Sequence, residues 1–252
     1  MKEITIKGVT VGRGIPKICV PIVAVNTEEI LKSAEKAENS QADLVEWRAD
    51  FWEQITDREA LEELLEKLQS ILKSKPLLFT IRTKGEGGEF EESIDTYTEL
   101  VKTAAKTADL VDVEIFMDGL EISQLFEDIH KGGCKIIASN HDFFKTPSKE
   151  EIMERLIRMQ EANADIAKIA VMPESKKDVL TLLSATEEMV SNYADRPIVT
   201  MSMKGTGVIS RLSGEIFGSS ITFGSLETAS APGQVELSQL KAALEIIHKN
   251  VV

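Results

Sequence analysis

The sequence predicts an α/β protein, a (β/α)8 TIM barrel preceded by a β-hairpin that closes the bottom of the barrel. Three observations carry this expectation. Short apolar runs recur along the chain at 18–23, 44–47, 77–81, 110–115, 135–138, 166–172, 198–201 and 221–223. Amphipathic helical patterns separate them, and the repeat of about thirty residues is what a right-handed βαβ series requires. A length of 252 residues suits one such barrel, taken as a single domain over 1–252. A doubly wound open sheet is the alternative, but no Gly-x-Gly-x-x-Gly follows the first run, and eight runs favour closure.

Residues 2–13 alternate in the β manner around Gly8, offering Ile4, Ile6, Val9 and Val11 for burial, and read as the hairpin. Helices are expected over 28–38, 93–107 and 119–131, with a short one over 210–217. Thr56-Asp57-Arg58-Glu59 reads as a capping box ahead of Leu61, Leu64, Leu65, Leu68 and Leu72 on one helical face. Ser148-Lys149-Glu150-Glu151 reads as a second box before Ile152, Leu156 and Met159. Val179, Leu182, Leu183, Thr186 and Val190 repeat the spacing after Pro173, as do Leu237, Leu240, Leu244 and Ile247 at the end.

Composition narrows the function. With 29 Lys and Arg against 42 Asp and Glu, the formal charge of -13 repels phosphate backbones, which argues against nucleic acid as a partner. The N-terminal residues show no secretory h-region, and no stretch approaches the ~20 apolar residues of a membrane span, so a cytoplasmic protein with no membrane partner is expected. Cys19 and Cys134 lie in apolar runs without metal-ligand spacing, as buried small hydrophobes do.

In a parallel barrel the active site forms where the strands end, and polar residues gather there. The second barrel strand ends in Glu46-Trp47-Arg48-Ala49-Asp50 and the third in Arg82-Thr83-Lys84-Gly85-Glu86. Asp112 and Glu114 are two apart and share a face, as do Glu46 and Arg48. The fifth strand runs into His141, the sixth contains Lys168, and Arg211 follows the seventh. A lysine in a strand is often an outward residue whose ammonium snorkels to water. Among Ile166, Ile169 and Val171, however, burial would favour a neutral, nucleophilic amine, with Asp112 and Glu114 opposing that effect.

His130 and His248 sit near helix ends and read as surface residues, whereas His141 follows a buried strand. It is a capping or core residue, or a general acid and base oriented by Glu86 or Glu46. Arg48, Arg82 and Arg211 at one mouth call for anions, either the nearby glutamates or a substrate carboxylate. Gly205-Thr206-Gly207 and Gly224-Ser225 occupy the usual phosphate-binding place of such barrels, although turn formation explains them equally. A metal is not expected: His141 stands alone, and the cations would compete with the ion.

Five blocks in order give these features a family context. Glu46-Trp47-Arg48-Ala49-Asp50, Ser139-Asn140-His141-Asp142-Phe143, Lys168-Ile169-Ala170-Val171-Met172, Met201-Ser202-Met203 with Thr206-Gly207-Val208-Ile209-Ser210-Arg211, and Ser230-Ala231-Pro232-Gly233-Gln234 together resemble the type I 3-dehydroquinate dehydratases of the shikimate pathway. The resemblance implies a hydro-lyase without a cofactor, commonly a homodimer. Lys168 would form an imine with 3-dehydroquinate. His141 would move the proton, assisted by Glu86, and 3-dehydroshikimate would leave. It further implies that Arg211 holds the substrate carboxylate, that Ser230 and Gln234 reach in from a closing loop, and that Glu46, Arg48 and Arg82 fix the ring hydroxyls. Met201, Met203 and Phe223 would pack the wall, with Asp112 and Glu114 also at the substrate site. Pro21 stands where some members offer a serine hydroxyl, and Lys204-Gly205 falls in a variable segment away from the chemistry.

Two other functions share features with this one. A class I aldolase or transaldolase would keep the barrel and the lysine but would prefer a phosphate site to a carboxylate clamp. A non-catalytic barrel would have no need of the lysine and histidine together.

Overall fold

The structure is a computed structural model that describes residues 2–226 and 234–251. It opens with an antiparallel hairpin, β1 (Ile4–Ile6) and β2 (Val9–Val11), in which Ile6 pairs with Val9. The two-residue turn between them places Lys7 at φ 50° and Gly8 at φ 82°. Positive φ at both positions gives the reversed twist that two-residue hairpins need.

Eight parallel strands follow: β3 (Lys17–Ile22), β4 (Leu44–Arg48), β5 (Leu77–Thr80), β6 (Leu110–Glu114), β7 (Lys135–Asp142), β8 (Ile166–Val171), β9 (Ile198–Ser202) and β10 (Ile221–Ser225). They run in sequence order from β3 to β9, and β10 pairs back onto β3, so the sheet curls into the expected (β/α)8 barrel. A short ninth strand, β11 (Val235–Glu236), adds beside β10. The seam between β9 and β10 closes differently. Ile198 bridges Ser219, Ser220 N–H donates to Ile198 O at 2.8 Å, and the Ser219 hydroxyl accepts Thr200 N–H at 3.0 Å.

The helices are α1 (Thr27–Glu38), α2 (Arg58–Ile71), α3 (Ile94–Ala104), α4 (Ile122–Lys131), α5 (Lys149–Glu161), α6 (Lys176–Asn192), α7 (Val208–Leu212), α8 (Gly214–Phe217) and α9 (Leu237–Val251). Their apolar stripes meet the outward faces of the strands in one continuous core, in which the Trp47 and Phe79 rings pack edge to face at 5.6 Å. No helix among the described residues is long and apolar enough to cross a membrane.

A second cluster fills the barrel's lower interior, where Ile6 and Val11 of the hairpin are buried against Leu44, Leu78, Leu110 and Ile166. The hairpin therefore plugs the bottom. Burial of each of these two side chains contributes about 1.5–3 kcal/mol. The Lys7 ammonium secures the plug, donating to Leu72 O at 2.7 Å and Gln69 Oε1 at 2.6 Å and pairing with Asp109 at 3.3 Å.

Several local expectations are corrected. Helix α2 is capped by Asp57 rather than Thr56, because the Asp57 carboxylate accepts the N–H groups of Glu59 and Ala60 at 3.1 Å. An ionised acceptor at a helix N-terminus also gains from the helix dipole, which favours it over the hydroxyl. The box at Ser148 is half formed: Ser148 caps Glu151 N–H, while the Glu151 side chain turns to Arg155. Helix α4 begins only at Ile122, since Gly119 at φ 84° holds the preceding turn. His130 and His248 are partly buried and paired with Asp165 and Glu215 at 2.9 and 2.7 Å. Cys19 and Cys134 are buried free thiols, and burial pushes Cys134 up to about 12.

Candidate active site

The site rests on one buried ionic assembly beneath the mouth. Asp112 and Glu114, alternate residues of β6, both point into the barrel and are closed to solvent. Between them lies the guanidinium of Arg82, just past β5, donating to Asp112 Oδ1 at 2.7 Å and Glu114 Oε1 at 2.9 Å. Ser139 Oγ accepts from Arg82 at 3.0 Å, and Thr83 donates to Glu114 through its N–H and its hydroxyl. Burial alone would raise Asp112, but Arg82 and Lys168 override it and hold the carboxyl far below the usual range. Burial would likewise lower Arg82, yet Asp112 and Glu114 keep it firmly protonated.

Lys168 stands on this foundation. Along β8 the odd and even positions separate, with Ile166, Lys168 and Ala170 inside the barrel and Ala167, Ile169 and Val171 against the helices. The Lys168 ammonium is 3% exposed as a residue, donates to Asp112 Oδ2 at 2.9 Å, lies 3.8 Å from Glu46 Oε1, and sits 4.9 Å over the Phe223 ring. Glu46 is oriented by the Thr80 hydroxyl at 3.0 Å.

His141 was expected just beyond a strand; β7 instead extends through Asp142, and His141 pairs in register with Ala170, two residues past Lys168. Pairing with β8 carries the strand this far, and Glu86 fixes the ring's orientation. Its Oε2 accepts His141 N–H at 2.9 Å and lies 2.9 Å from His141 Nδ1. Burial, together with Glu114, raises Glu86 to about 8 despite Arg82, whereas burial and the cations Arg82 and Lys168 push His141 well below its ordinary value. A carboxyl that resists ionisation and an imidazole that resists protonation can pass one proton between them.

Above these groups opens a cavity of about 250 Å³ lined by Glu46, Arg48, Arg82, Glu86, His141, Lys168, Met201, Met203, Arg211, Phe223 and Gln234. Ser230 lies outside the described residues. Arg48 is held by Asp50, with two hydrogen bonds of 2.8 Å, and covers the Phe51 ring. Arg211 differs. It is 4% exposed, and among the described residues its Nη1 touches only Met201 Sδ at 3.8 Å, its Nε has no partner and no carboxylate pairs with it. Burial alone lowers it to about 10. An uncompensated buried guanidinium is costly unless an anion arrives to receive it.

Two expectations about the wall change. Asp112 and Glu114 lie below the cavity rather than on its surface, their oxygens taken by Arg82, Lys168 and Thr83. Lys204, set aside by sequence as variable, lines the cavity at φ 57°, together with Gly87, Phe143, Ala170 and Met172. Ala170 and Met172 follow Lys168 at a spacing of two, a signal the strand pattern already carried. Of the glycines after the seventh strand, Gly207 serves packing, since a Cβ there would meet Ser202 O at 2.2 Å, whereas Gly205 has open space around it. Among the described residues no group of three His, Cys, Asp or Glu is placed to hold a metal ion.

A (β/α)8 barrel with charged side chains converging on a cavity at the carboxyl ends of its strands defines a barrel enzyme. The comparisons specify the family. The family model for type I 3-dehydroquinase matches residues 18–251. The 3-dehydroquinate dehydratase of Clostridioides difficile is 50% identical over 252 residues, spanning 99% of both chains. That of a Listeria monocytogenes strain is 50% identical over 251 residues, again 99% of each. Among solved structures, the Clostridium difficile type I enzyme with covalently modified comenic acid superposes with a TM-score of 0.96 over 99% of both chains. The Enterococcus faecalis 3-dehydroquinate dehydratase, at 46% identity, gives 0.90 over 96% of this chain and 98% of that one. The chain belongs to the type I 3-dehydroquinase family.

Proposed function

We propose that this enzyme removes water from 3-dehydroquinate to give 3-dehydroshikimate, as a step of aromatic biosynthesis, through an imine on Lys168. The observation that carries the reading is that one cavity is lined by Lys168, by the His141 ring that meets Glu86, and by Arg211, a buried guanidinium with no carboxylate partner among the described residues. The substrate carboxylate would dock on Arg211, which brings the ketone toward Lys168 and leaves the ring hydroxyls to Glu46, Arg48 and Gln234. Arg82, with carboxylates on both sides, would act chiefly by holding the floor in place.

The amine adds to the ketone and water leaves, giving a protonated imine that withdraws electrons from the adjacent carbon. Glu86 takes Nδ1, so Nε2 of His141 is the nitrogen available to remove that carbon's proton. The electron pair forms the new double bond as hydroxide departs, protonated by the same ring. Water then hydrolyses the imine and restores the lysine. The resemblance also supports a homodimer, which light scattering would test, and the two buried free thiols suit a reducing compartment such as the cytoplasm.

The deciding experiment adds borohydride during turnover of 3-dehydroquinate, beside the ultraviolet assay for the conjugated product. Reduction should fix the ligand on the Lys168 peptide in the mass spectrum. Product formation with an unmodified Lys168 would refute the imine, and no product would refute the substrate. An aldolase-like reading would draw on a phosphate site at these glycines, but Gly207 is already explained by its close approach to the Ser202 backbone.

A further inference from the structure

We propose that Asn140 and Arg155 are positioning residues for proton transfer, acting as a relay that confines the acidic proton of Glu86 to the oxygen facing His141. The inference rests on the assignment of His141 as the proton-transfer residue. Asn140 Nδ2 donates to Glu86 Oε1 at 2.9 Å, and Arg155 Nη1 donates to Asn140 Oδ1 at 2.7 Å. A guanidinium has donors only, so Arg155 must face the amide oxygen. That contact leaves the amide NH2 turned toward Glu86. The orientation of Asn140 is thus set by Arg155 and not by Glu86 alone.

The consequence lies in which carboxyl oxygen can carry a proton. An NH2 group donates and cannot accept, so a proton on Oε1 would face another hydrogen. Oε2 also accepts His141 N–H at 2.9 Å, but it meets in addition a nitrogen able to accept, the Nδ1 of His141 at 2.9 Å. Any proton the pair holds is directed onto the line between Oε2 and Nδ1. With Glu86 ionised, Nδ1 carries the hydrogen and Nε2 is a base. As Nε2 takes the substrate proton, the Nδ1 hydrogen passes to Oε2, leaving a neutral carboxyl and an Nε2–H donor. Protonation of the leaving hydroxyl by Nε2 returns that hydrogen to Nδ1 and restores the base.

The surroundings make this support consequential. Glu86 faces Arg82 at 3.5 Å and lies in the field of Glu114 and Asp112, while His141 feels Arg82, Lys168, Asp112 and Arg48. The carboxyl is raised by burial and by its acidic neighbours, and Asn140 is among the contacts that offset this. Arg155 is itself held by Glu151 and stands 3.8 Å from Asp142. The relay spans α5 to β7 and reaches Glu86 without touching the cavity, where neither Asn140 nor Arg155 is exposed.

The test uses the full chain with Asn140→Leu, Arg155→Met and Arg155→Lys. The His141 ring is followed by nitrogen NMR across pH without substrate, and kcat and KM are profiled alongside. Loss of a hydrogen bond to the ionised carboxylate should move the pair's titration alkaline by about one pH unit in Asn140→Leu and Arg155→Met. At neutral pH kcat should fall about tenfold with KM little changed, since substrate contacts are intact. Arg155→Lys keeps a donor toward Asn140 and should restore most of the wild-type profile. An unchanged titration in Arg155→Met, with only a lower melting temperature, would make the pair a strut between helix and strand and overturn the proposal. Should Asn140→Leu fail to fold, the two Arg155 variants decide. Because the ring is read without turnover, absence of dehydratase activity in the parent enzyme would count against the function and leave the titration result standing.

Discussion

Lys168 and Asp112 meet at 2.9 Å under the barrel mouth, with side chains 4% and 0% exposed. The other oxygen of the same carboxylate holds Arg82 at 2.7 Å, so one anion serves two cations from different strands. Asp112→Asn keeps the shape and removes that charge. It should cost about 3–5 kcal/mol, the penalty typical of leaving buried ions uncompensated. Urea unfolding measures it, and a loss below about 1 kcal/mol would mean that Glu46 and Glu114 suffice as counter-ions. Lys168→Met should destabilise far less, because Arg82 still neutralises Asp112.

Arg211 offers the opposite combination of effects. Its guanidinium is buried with no acidic partner among the described residues. Arg211→Met should therefore raise the melting temperature while raising KM by about 10- to 100-fold, the worth of a charge-assisted contact to a carboxylate. A higher KM together with a lower melting temperature would show that the arginine has a structural role instead.

Stability should also carry the signature of Glu86. Its folded value near 8 stands above the ordinary 4.5, so the folded protein binds this proton more tightly than the unfolded chain. The contribution is full below about pH 4.5 and disappears as pH rises toward 8, on the order of a few kcal/mol over that window. Urea midpoints taken between about pH 6.5 and 8, above the range in which the depressed His141 gives the opposite slope, should decline in the parent protein and decline less in Glu86→Gln. Parallel curves would place the raised carboxyl elsewhere.

His141→Ala separates imine formation from proton transfer. The variant should still be trapped on Lys168 by borohydride in the presence of 3-dehydroquinate, yet turn over about 10²- to 10⁴-fold more slowly, the usual contribution of a general acid and base. A normal rate would assign the base to another group.

Much of this site could be read from residue order alone because it obeys strand periodicity. Lys168 inside an apolar run, Asp112 and Glu114 two apart, and His141 at a strand end follow from alternation and from the rule that barrel sites form at strand ends. What the pattern could not supply was pairing between strands. Nothing local distinguishes Arg82, clasped by two acids, from Arg211, which has none, because the partners come from β6 in one case and from no described residue in the other. For the same reason alternation turns Asp112 and Glu114 into the barrel but does not tell the wall of the cavity from the floor beneath it. Lys204 carries no such signal, because a loop has no period to reveal which way its side chains face. The shift of the α2 cap from Thr56 to Asp57 reflects two adjacent residues that can both cap, with charge deciding between them.

The plug formed by Ile6 and Val11 has a bearing on traffic. A barrel corked at its floor by its own first dozen or so residues leaves the upper mouth as the doorway to Lys168. Substrate and product must share that doorway and pass in turn. Each cycle is then single file: the product must clear the threshold before another ketone can reach the amine, so an inhibitor lodged at Arg211 would block arrival and departure alike.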